Sequence, residues 1–429
     1  DELVEACRAP IPSDADAEQT IAALNQVLLT DREVTYLSNR YWRDATLVAA
    51  AMRGACNCLG GSILYVVVAR HLELPICMVL VPRHALVRWQ DGGTRINIET
   101  TAGGVAVPDY HYLSGASSSH LADLQLLGLN RSLSDDEFLA ELRSIAAGHL
   151  RGQGRLEEAC ELMRAVVDAL PQRDDHRLDW LTMQADLSGD RAAYRAGLSS
   201  MAQRTQAPSI ATRVHLALAA EYAAEGAFDQ EREQLLQALR STPKNMLAQV
   251  LTRLAFCHRS LQDWRGARRY MELALTLVDP GSPVLAMQLY NLAILQKNDA
   301  DLSAALASID RALAINPESW NLQVLKAGYL VLDGRRQEGL DRFATVAKPR
   351  ADEAFWNDMQ AWFYAVSEQR ERFYEAFEHA LRTADNPQIL TWIAQDVDLD
   401  VYRDEEPFQR LLSVHRERLL GIAAPESIP

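Results

Sequence analysis

The chain has 429 residues, 48% hydrophobic and 24% charged, a composition typical of folded globular proteins that excludes collagen-like and disordered chains. Its formal net charge of −15 has the wrong sign for a protein that would bind by neutralising phosphates, so we expect no nucleic-acid partner. The longest apolar run, residues 63–69, is far shorter than the ~20 residues that cross a bilayer, so we expect no membrane span.

The chain begins at Asp1 rather than at a methionine, so we expect that an upstream segment was removed, either by a signal peptidase or by the design of the expressed protein. Six scattered cysteines do not resemble a disulfide framework, and we expect free thiols among them. Cys56 and Cys58 form a C-x-C motif, but no second Cys or His pair stands at metal-ligand spacing. We therefore expect neither a metal nor another cofactor.

The first 145 residues place helices before strands, an order that predicts an α+β domain over residues 1–145. Helical patterns occupy residues 17–29 and 37–52, and a Cys-Leu-Gly-Gly turn then leads to an apolar helix over 62–72. Three β-rich stretches follow, at residues 76–81, 85–89 and 95–99. Between the last two, Asp91-Gly92-Gly93 has the composition of a hairpin turn.

From about residue 146 to 390 the sequence repeats in units that predict pairs of antiparallel helices. The turns between paired helices align at Gly154, Gly226, Gln262, Ala300 and Gly334. Five positions later stand residues that are mostly small, at Ala159, Glu231, Ala267, Ala305 and Gly339. Large apolar residues follow four positions further, at Met163, Leu235, Met271, Ile309 and Phe343. A small residue lets two helices approach, and the large one fills the groove of the next pair.

Three of these units close with a proline that ends the second helix, at Pro171, Pro243 and Pro317. A weaker unit centres on Gly189 and Tyr194, and another helical pair runs over residues 354–382. Residues 391–429 are predicted to be a C-terminal cap and tail. The pattern resembles the tetratricopeptide repeat, whose arrays form all-α solenoids that bind a protein or peptide partner.

Three side chains from separate elements could form a catalytic site. Cys58 precedes a buried helix, whose N-terminus would stabilise a thiolate. His84 opens a strand, where its side chain is both positioned and accessible. Glu99 ends the next strand and could hold the imidazole in orientation. If the hairpin loop has two residues, Val87 faces Ile98, and Glu99 lies diagonal to His84 on the same face of the sheet.

These residues also carry a family resemblance. Residues 54–65 (GACNCLGGSILY), 82–88 (PRHALVR) and 97–104 (NIETTAGG) resemble the transglutaminase-like superfamily, in a bacterial branch where this papain-type core is N-terminal to a longer chain. The resemblance implies that Cys58 is the nucleophile, His84 the base and Glu99 the orienting acid, where the family more commonly has Asp. It implies a thiol-dependent acyl-transfer enzyme, a hydrolase, deamidase or transglutaminase of peptide or glutamine amides, in the bacterial cytoplasm or periplasm.

Other interpretations stay open at this level. Cys58 could be a core thiol, and Glu99 could cap a turn or pair with Arg88. The whole chain could be a non-catalytic scaffold in which the transglutaminase-like fold survives as a relic and the repeats bind a partner. Three residues are candidates for a second oxyanion donor besides the Cys58 backbone N–H: Asn57, Asn39 and Trp42. Tyr110 and Tyr112 are expected to fill core.

Overall fold

The computed structural model describes residues 1–37, 46, 49–82, 84–113, 121–282, 284–349, 353–384, 386 and 388–420. The chain divides into two compact units, residues 1–250 and residues 251–429. In the ranges just given, no helix is both long enough and apolar enough to cross a membrane. The predicted domain boundaries after residues 145 and 390 stay predictions.

The first unit opens with helices. They are α1 (Glu2–Arg8) and α2 (Ala17–Asn25), and a π-helical turn (Gln26–Thr30) extends α2. Asp16 starts α2 through a capping box with Gln19, which satisfies N–H groups at the helix N-terminus. The helix predicted over residues 17–29 is therefore confirmed. Of the helix predicted over 37–52, residues 38–45 and 47–48 lie outside the described residues, and a π-helical turn (Ala49–Arg53) occupies its end.

Two short strands then lead into the central helix. β1 (Thr35–Tyr36) pairs in parallel with β2 (Ala55–Cys56). This pairing places Tyr36 beside Cys56, immediately before helix α3 (Cys58–His71). Helix α3 is apolar on nearly every face, because it is covered by the sheet on one side and by the N-terminal helices on the other.

A four-stranded antiparallel sheet follows in the order of the chain. Its strands are β3 (Ile76–Val81), β4 (His84–Asp91), β5 (Thr94–Glu99) and β6 (Val105–Ala106). The predicted strands and the two-residue hairpin are confirmed, since Asp91 pairs with Thr94. The same register pairs Val87 with Ile98, which fixes the face on which every later side chain of β4 and β5 lies.

Helices complete the first unit. They are α4 (Tyr110–Leu113), α5 (Leu121–Leu126), α6 (Asp135–Gly152), α7 (Leu156–Ala169), α8 (Asp174–Ser188), α9 (Arg191–Arg204), α10 (Pro208–Ala224) and α11 (Phe228–Ser241). Helix α6 belongs to two cores at once. Its Phe138 packs into the core under the sheet, whereas Ala140 and Ala147 pack with α7. Helix α12 (Lys244–Ser260) continues the array.

The second unit continues with paired helices and ends in a capping segment. Its helices are α13 (Trp264–Leu275), α14 (Leu285–Asn298), α15 (Leu302–Ile315), α16 (Trp320–Leu332), α17 (Arg336–Thr345), α18 (Glu353–Val366) and α19 (Arg370–Thr383). The cap consists of α20 (Gln388–Gln395), a 3₁₀ segment (Val397–Tyr402) and α21 (Glu406–Leu420). Phe373 and Phe408 are both buried in the core that joins α19 to the cap.

The turn positions predicted from the repeat pattern share one backbone conformation. Each has a positive φ, at Gly154, Gly226, Gln262, Ala300 and Gly334, and so do Gly189 and Glu368 in the two additional pairs. A left-handed residue ends the first helix of a pair and lets the chain reverse. The three prolines each stand two residues beyond a helix end, as predicted.

The small residues also have the predicted role. A Cβ added at Gly339 would lie 2.5 Å from the carbonyl oxygen of Ala327, so helices α16 and α17 meet closely enough to exclude a larger side chain. Ala267 and Ala305 are fully buried at the equivalent positions. The predicted fold class, an α+β domain followed by an all-α array of helical pairs, is confirmed.

Candidate active site

Cys58 is the first residue of helix α3. The Asn57 side chain caps this helix, with Oδ1 accepting hydrogen bonds from the Leu59 and Gly60 N–H groups, both at 3.1 Å. The cap explains why the helix starts at Cys58 and not at Ser62, where the sequence pattern placed it. The thiol therefore stands at the positive end of a buried helix.

The sequence Leu59-Gly60-Gly61 forms the first turn of the helix rather than a separate turn. A Cβ added at Gly61 would lie 3.3 Å from Oγ1 of Thr100, which follows Glu99 directly. Absence of a side chain at Gly61 thus lets the start of α3 pack against the segment that carries the predicted acid.

His84 and Glu99 meet across the β4–β5 hairpin. Nε2 of His84 is 2.7 Å from Oε2 of Glu99, as the predicted diagonal arrangement requires. His84 and Cys58 also shift each other's pKa, and because Nε2 faces Glu99, Nδ1 is the ring nitrogen left to face the sulfur. The structure therefore brings together the three residues predicted from distant parts of the sequence.

Glu99 is fixed at both of its oxygens. Oε1 accepts from the Thr101 N–H at 3.0 Å and from the Thr101 hydroxyl at 2.5 Å, so Glu99 caps the 3₁₀ turn (Thr100–Ala102). Oε2 accepts from the Tyr112 hydroxyl at 2.8 Å in addition to its contact with His84. The capping alternative is thus correct and coexists with the contact to His84, and the longer reach of Glu over Asp makes both possible.

Tyr112 supports the imidazole as well as the carboxylate. Its ring stacks on that of His84 with centroids 5.7 Å apart and an interplanar angle of 21°. The expectation that Tyr112 fills core is confirmed, but the same expectation for Tyr110 is wrong, because Tyr110 is 70% exposed. The single helical turn of α4 points the two tyrosines in different directions.

A buried arginine holds the segment that carries Tyr112. Arg88 is only 1% exposed and does not pair with Glu99, so that alternative is wrong. Its Nε donates to Oδ1 of Asn97 at 2.6 Å, and its Nη2 donates to Oδ1 of Asp109 at 3.0 Å. Asn97 Nδ2 donates to the same Asp109 oxygen at 2.7 Å. Because Asp109 directly precedes α4, this network fixes the start of α4 and therefore the position of Tyr112.

The pKa values follow from these contacts. Burial acts to raise the pKa of Cys58, but hydrogen bonds with His84 and with the Ala85 backbone outweigh it and leave the pKa below its ordinary value. Burial acts to lower the pKa of His84, yet its contacts with Cys58 and Glu99 raise it to about 9. Burial likewise opposes ionisation of Glu99, but His84 and Thr101 lower its pKa to about 2. These directions favour the thiolate–imidazolium pair over the neutral pair of thiol and imidazole.

A cleft of about 1120 Å³ opens onto Cys58 and His84. Part of its wall comes from the helical array within the same compact unit. Polar side chains on this wall are Arg173, Asp175, Ser209, Arg213, Asn245 and Gln249. Arg173 is buried and paired with Glu141 and Asp175, so this part of the wall has fixed charges.

The structure adds one candidate for the second oxyanion donor, Tyr36, that the sequence analysis did not identify. Asn39 and Trp42 lie outside the described residues, whereas Asn57 accepts the cap bonds through Oδ1 and stays a candidate donor through Nδ2. Tyr36 lines the cleft together with Cys58, and burial together with the charges of Cys58 and Glu99 raises its pKa. The signal that could have identified Tyr36 is the pairing of β1 with β2, which two-residue strands do not reveal in sequence.

The other cysteines lie outside this site. Among the described residues none of the six forms a disulfide, as expected for some of them, and Cys7, Cys56, Cys160 and Cys257 are buried. Burial raises the pKa of Cys7 to about 11, the opposite direction to the shift at Cys58. Cys58 is therefore distinguished from Cys7 by its hydrogen-bond partners.

A comparison with known families agrees with the resemblance found in the N-terminal part of the sequence. Residues 1–114 match the model of the transglutaminase-like superfamily and form a transglutaminase-like domain. No curated protein matches the chain in sequence.

Solved structures of repeat proteins are similar to the helical part. A tetratricopeptide repeat protein from Parabacteroides merdae is 15% identical, covers 64% of this chain and 98% of its own, and has a TM-score of 0.43. The C-terminal part of a TPR repeat-containing protein from Cytophaga hutchinsonii is 12% identical, covers 55% of this chain and 93% of its own, and has a TM-score of 0.40. PilF from Pseudomonas aeruginosa is 14% identical, covers 66% of this chain and 100% of its own, and has a TM-score of 0.33.

Proposed function

We propose that the transglutaminase-like domain is a thiol-dependent acyl-transfer enzyme acting on peptide or glutamine side-chain amides. The observation that carries the proposal is the convergence of three side chains, since His84 lies 2.7 Å from Glu99, shifts the pKa of Cys58 and lines the same cleft as Cys58. A thiolate, an imidazole and an orienting carboxylate are the groups that nucleophilic acyl transfer requires.

The reaction follows from the positions of these groups. The Cys58 sulfur attacks the carbonyl carbon, and the C–N bond breaks as His84 gives a proton to the departing amine or ammonia. Water or an amine then attacks the thioester, His84 takes its proton, and the acyl group leaves as an acid or as a new amide. Hydrolysis, deamidation and crosslinking differ only in this last step.

The negative oxygen of the tetrahedral intermediate needs two donors. The Cys58 backbone N–H, at the first position of α3, is one of the N–H groups that a helix leaves without an internal partner. We assign the Tyr36 hydroxyl as the second donor, because Tyr36 lines the cleft next to the sulfur. In this assignment β1 has a direct role in catalysis.

The helical array contributes to substrate binding in this proposal. The cleft at Cys58 is walled partly by α8, α10 and the start of α12, whose amide and charged side chains suit a polypeptide main chain. A bound protein or peptide partner would then be held close to the thiol, which raises its effective concentration there. A bacterial origin and a location in the cytoplasm or periplasm, which the resemblance implies, are also part of this proposal.

The test is the rate at which iodoacetamide alkylates Cys58 at pH 7, located by peptide mass spectrometry. An ordinary thiol is only a few per cent ionised at this pH, so we expect Cys58 to react about 10 to 30 times faster than an ordinary exposed thiol. His84→Ala should remove this difference. The matched control is His71→Ala, which removes an exposed histidine from α3, the helix that carries Cys58, and should leave the rate unchanged.

Turnover is tested with glutamine-containing peptides, following ammonia release and the mass of an acyl adduct on Cys58. Fast alkylation with adduct formation supports the enzyme. A Cys58 rate equal to that of a simple thiol in both the wild type and His84→Ala would leave the scaffold function and remove the enzymatic one.

A further inference from the structure

The second compact unit contains a pocket of about 310 Å³ that is separate from the residues around Cys58. Helices α14, α16 and α18 and the capping segment line it. Its aromatic lining residues include Trp264, Tyr290, Tyr329, Phe355 and Trp362. This volume is at the lower end of the range for ligand pockets and is large enough for one long side chain.

The walls of the pocket are formed before any ligand arrives. Gly328 makes room for the Trp362 ring, since a Cβ at that position would lie 2.3 Å from a ring carbon. The indole N–H of Trp362 donates to Oδ2 of Asp398 at 2.8 Å, and Lys297 pairs with the other oxygen of Asp398. Tyr329 meets Trp362 edge to face, with centroids 5.9 Å apart. These contacts fix the rings of Trp362 and Tyr329, which together form the aromatic corner of the pocket.

One carboxylate in this pocket lacks a partner. Asp358 forms no hydrogen bond or salt bridge within the described ranges 251–282, 284–349, 353–384, 386 and 388–420. Burial raises the pKa of Asp358 to about 7, and the nearby charge of Asp396 adds to this effect. Burial and the charge of Asp398 raise the pKa of Asp396 to about 6. The free protein therefore carries an uncompensated desolvation and repulsion at this place.

The cations that line the pocket relieve this repulsion only in part: the charge of Lys297 acts to lower the pKa of Asp396, which nevertheless stays raised, at about 6. Lys297 is committed to Asp398, and the Arg259 guanidinium lies over the Phe256 ring, 5.6 Å from its centroid. When all three carboxyl groups, Asp358, Asp396 and Asp398, are ionised, Arg259 and Lys297 leave the lining one negative charge in excess, which adds to the effect of burial in raising the pKa of Asp358 towards the neutral form. A bound cation would supply the missing positive charge.

We propose that this pocket binds the guanidinium group of an arginine side chain on a partner polypeptide, between Asp358 and the aromatic corner. A planar guanidinium stacks on aromatic rings and donates paired hydrogen bonds to a carboxylate, so it uses both features of the pocket. A neutral side chain of the same shape would leave Asp358 without its partner. The pocket is thus a specificity site for a basic residue, and it does not depend on the chemistry at Cys58.

The test uses the full chain and isothermal titration with two blocked tripeptides, acetyl-Gly-Arg-Gly-amide and its citrulline counterpart, which is neutral and nearly the same shape. We expect the arginine peptide to bind with a dissociation constant below about 1 mM and the citrulline peptide at least about tenfold more weakly. Ethylguanidinium provides the third arm. If it binds as tightly as the arginine peptide, the ligand is a free organic cation and the assignment to a polypeptide is wrong.

Asp358→Asn should lose at least about tenfold in affinity for the arginine peptide. Asp341→Asn, which removes the same charge from an exposed position on α17, is the matched control. The melting temperature separates binding from folding, because removal of an unpaired carboxylate should leave it unchanged or raise it. Equal binding of the arginine and citrulline peptides, or unchanged binding by Asp358→Asn, would overturn the proposal. Alkylation of Cys58 should be the same in all of these variants.

Discussion

The candidate active site and the aromatic pocket both shelter ionisable side chains, but only the first gives each of them a partner. Glu99 accepts four hydrogen bonds, and His84 contacts both Cys58 and Glu99. Asp358 instead has only a like charge, Asp396, acting on it. A network of complementary charges fixes geometry, which favours chemistry, whereas a buried carboxyl group without a partner is stabilised either by a proton or by a bound cation.

The largest expected effect is at Arg88, on which the partnered network depends. Arg88→Met leaves Asn97 and Asp109 without their buried donor, which should cost about 3 to 5 kcal/mol. Arg95→Met is the matched control, because Arg95 donates to the same Asp109 from an exposed position and should cost at most about 1 kcal/mol. Hydrogen exchange of the β4 amides measures both. Equal protection in the two variants would show that Arg88 does not support the site.

The next effect concerns the charge that holds the imidazole. Glu99→Gln removes the carboxylate that helps raise the pKa of His84, so less imidazolium faces Cys58 and less thiolate forms. We expect alkylation of Cys58 at pH 7 to slow about tenfold, which corresponds to one pKa unit. Glu73→Gln removes the same charge from an exposed position and should have no effect. A Glu99→Gln rate equal to that of the wild type would mean that the carboxylate acts only as a cap.

The pH dependence of stability should reflect the pairing of His84 with Glu99. Because the pKa of His84 rises from 6.5 in the unfolded chain to about 9, its contribution is fully present below pH 6.5 and is lost as pH rises through 9. The pKa of Glu99 falls from 4.5 to about 2, so its contribution is present above pH 4.5 and is lost as pH falls through 2. The lowered pKa of Cys58 acts in the opposite direction, since it adds stability as pH rises towards 9, so the comparison is made in a Cys58→Ser background. In that background, melting temperatures from pH 6 to 9.5 should decline less steeply with His84→Gln than with His84 retained. Parallel declines would contradict the raised pKa.

A smaller effect is expected at Tyr112, which contacts both members of the His84–Glu99 pair. Tyr112→Phe keeps the ring stacked on His84 but removes the hydroxyl that donates to Glu99. Loss of a hydrogen bond to a charged group should lower the free energy of unfolding by about 1.5 to 3 kcal/mol, mostly by destabilising the structure around Glu99. Tyr110→Phe removes a hydroxyl from an exposed ring and should change nothing. The melting temperature and the alkylation rate of the two variants give the comparison. A Tyr112→Phe protein as stable as Tyr110→Phe would mean that the hydroxyl is replaced by water.

The smallest effect belongs to the repeated turns. Ala300 has a φ of +60°, a conformation that costs a residue with a Cβ about 1 to 2 kcal/mol, whereas glycine adopts it freely. Ala300→Gly should therefore stabilise the chain by up to about 1 kcal/mol, after the greater flexibility of glycine in the unfolded state is counted. Gly334→Ala, at the equivalent turn, should destabilise it. Melting temperatures that shift in the same direction for both variants would show that the two turns are not equivalent.

The helical array was the part of the fold most open to sequence analysis. Each unit repeats the same requirements, a left-handed turn, a small residue and a large one, so that a weak unit such as the one at Gly189 is identified by its neighbours. The sheet and its hairpin were also predictable, since a two-residue loop fixes the register of every later pair. The start of α3 was not, because the Asn57 cap outweighs the low helix propensity of Gly60 and Gly61.

The sequence by itself determined the candidates Cys58, His84 and Glu99, since residue type and hairpin register follow from local chemistry and the two-residue period of a strand. Only the tertiary structure decided what surrounds them. The parallel pairing that brings Tyr36 to the cleft and the network from Arg88 to Tyr112 join residues far apart in the chain. The isolation of Asp358 among aromatic rings depends in the same way on how several helices pack, and packing of this kind leaves no periodic signal in sequence.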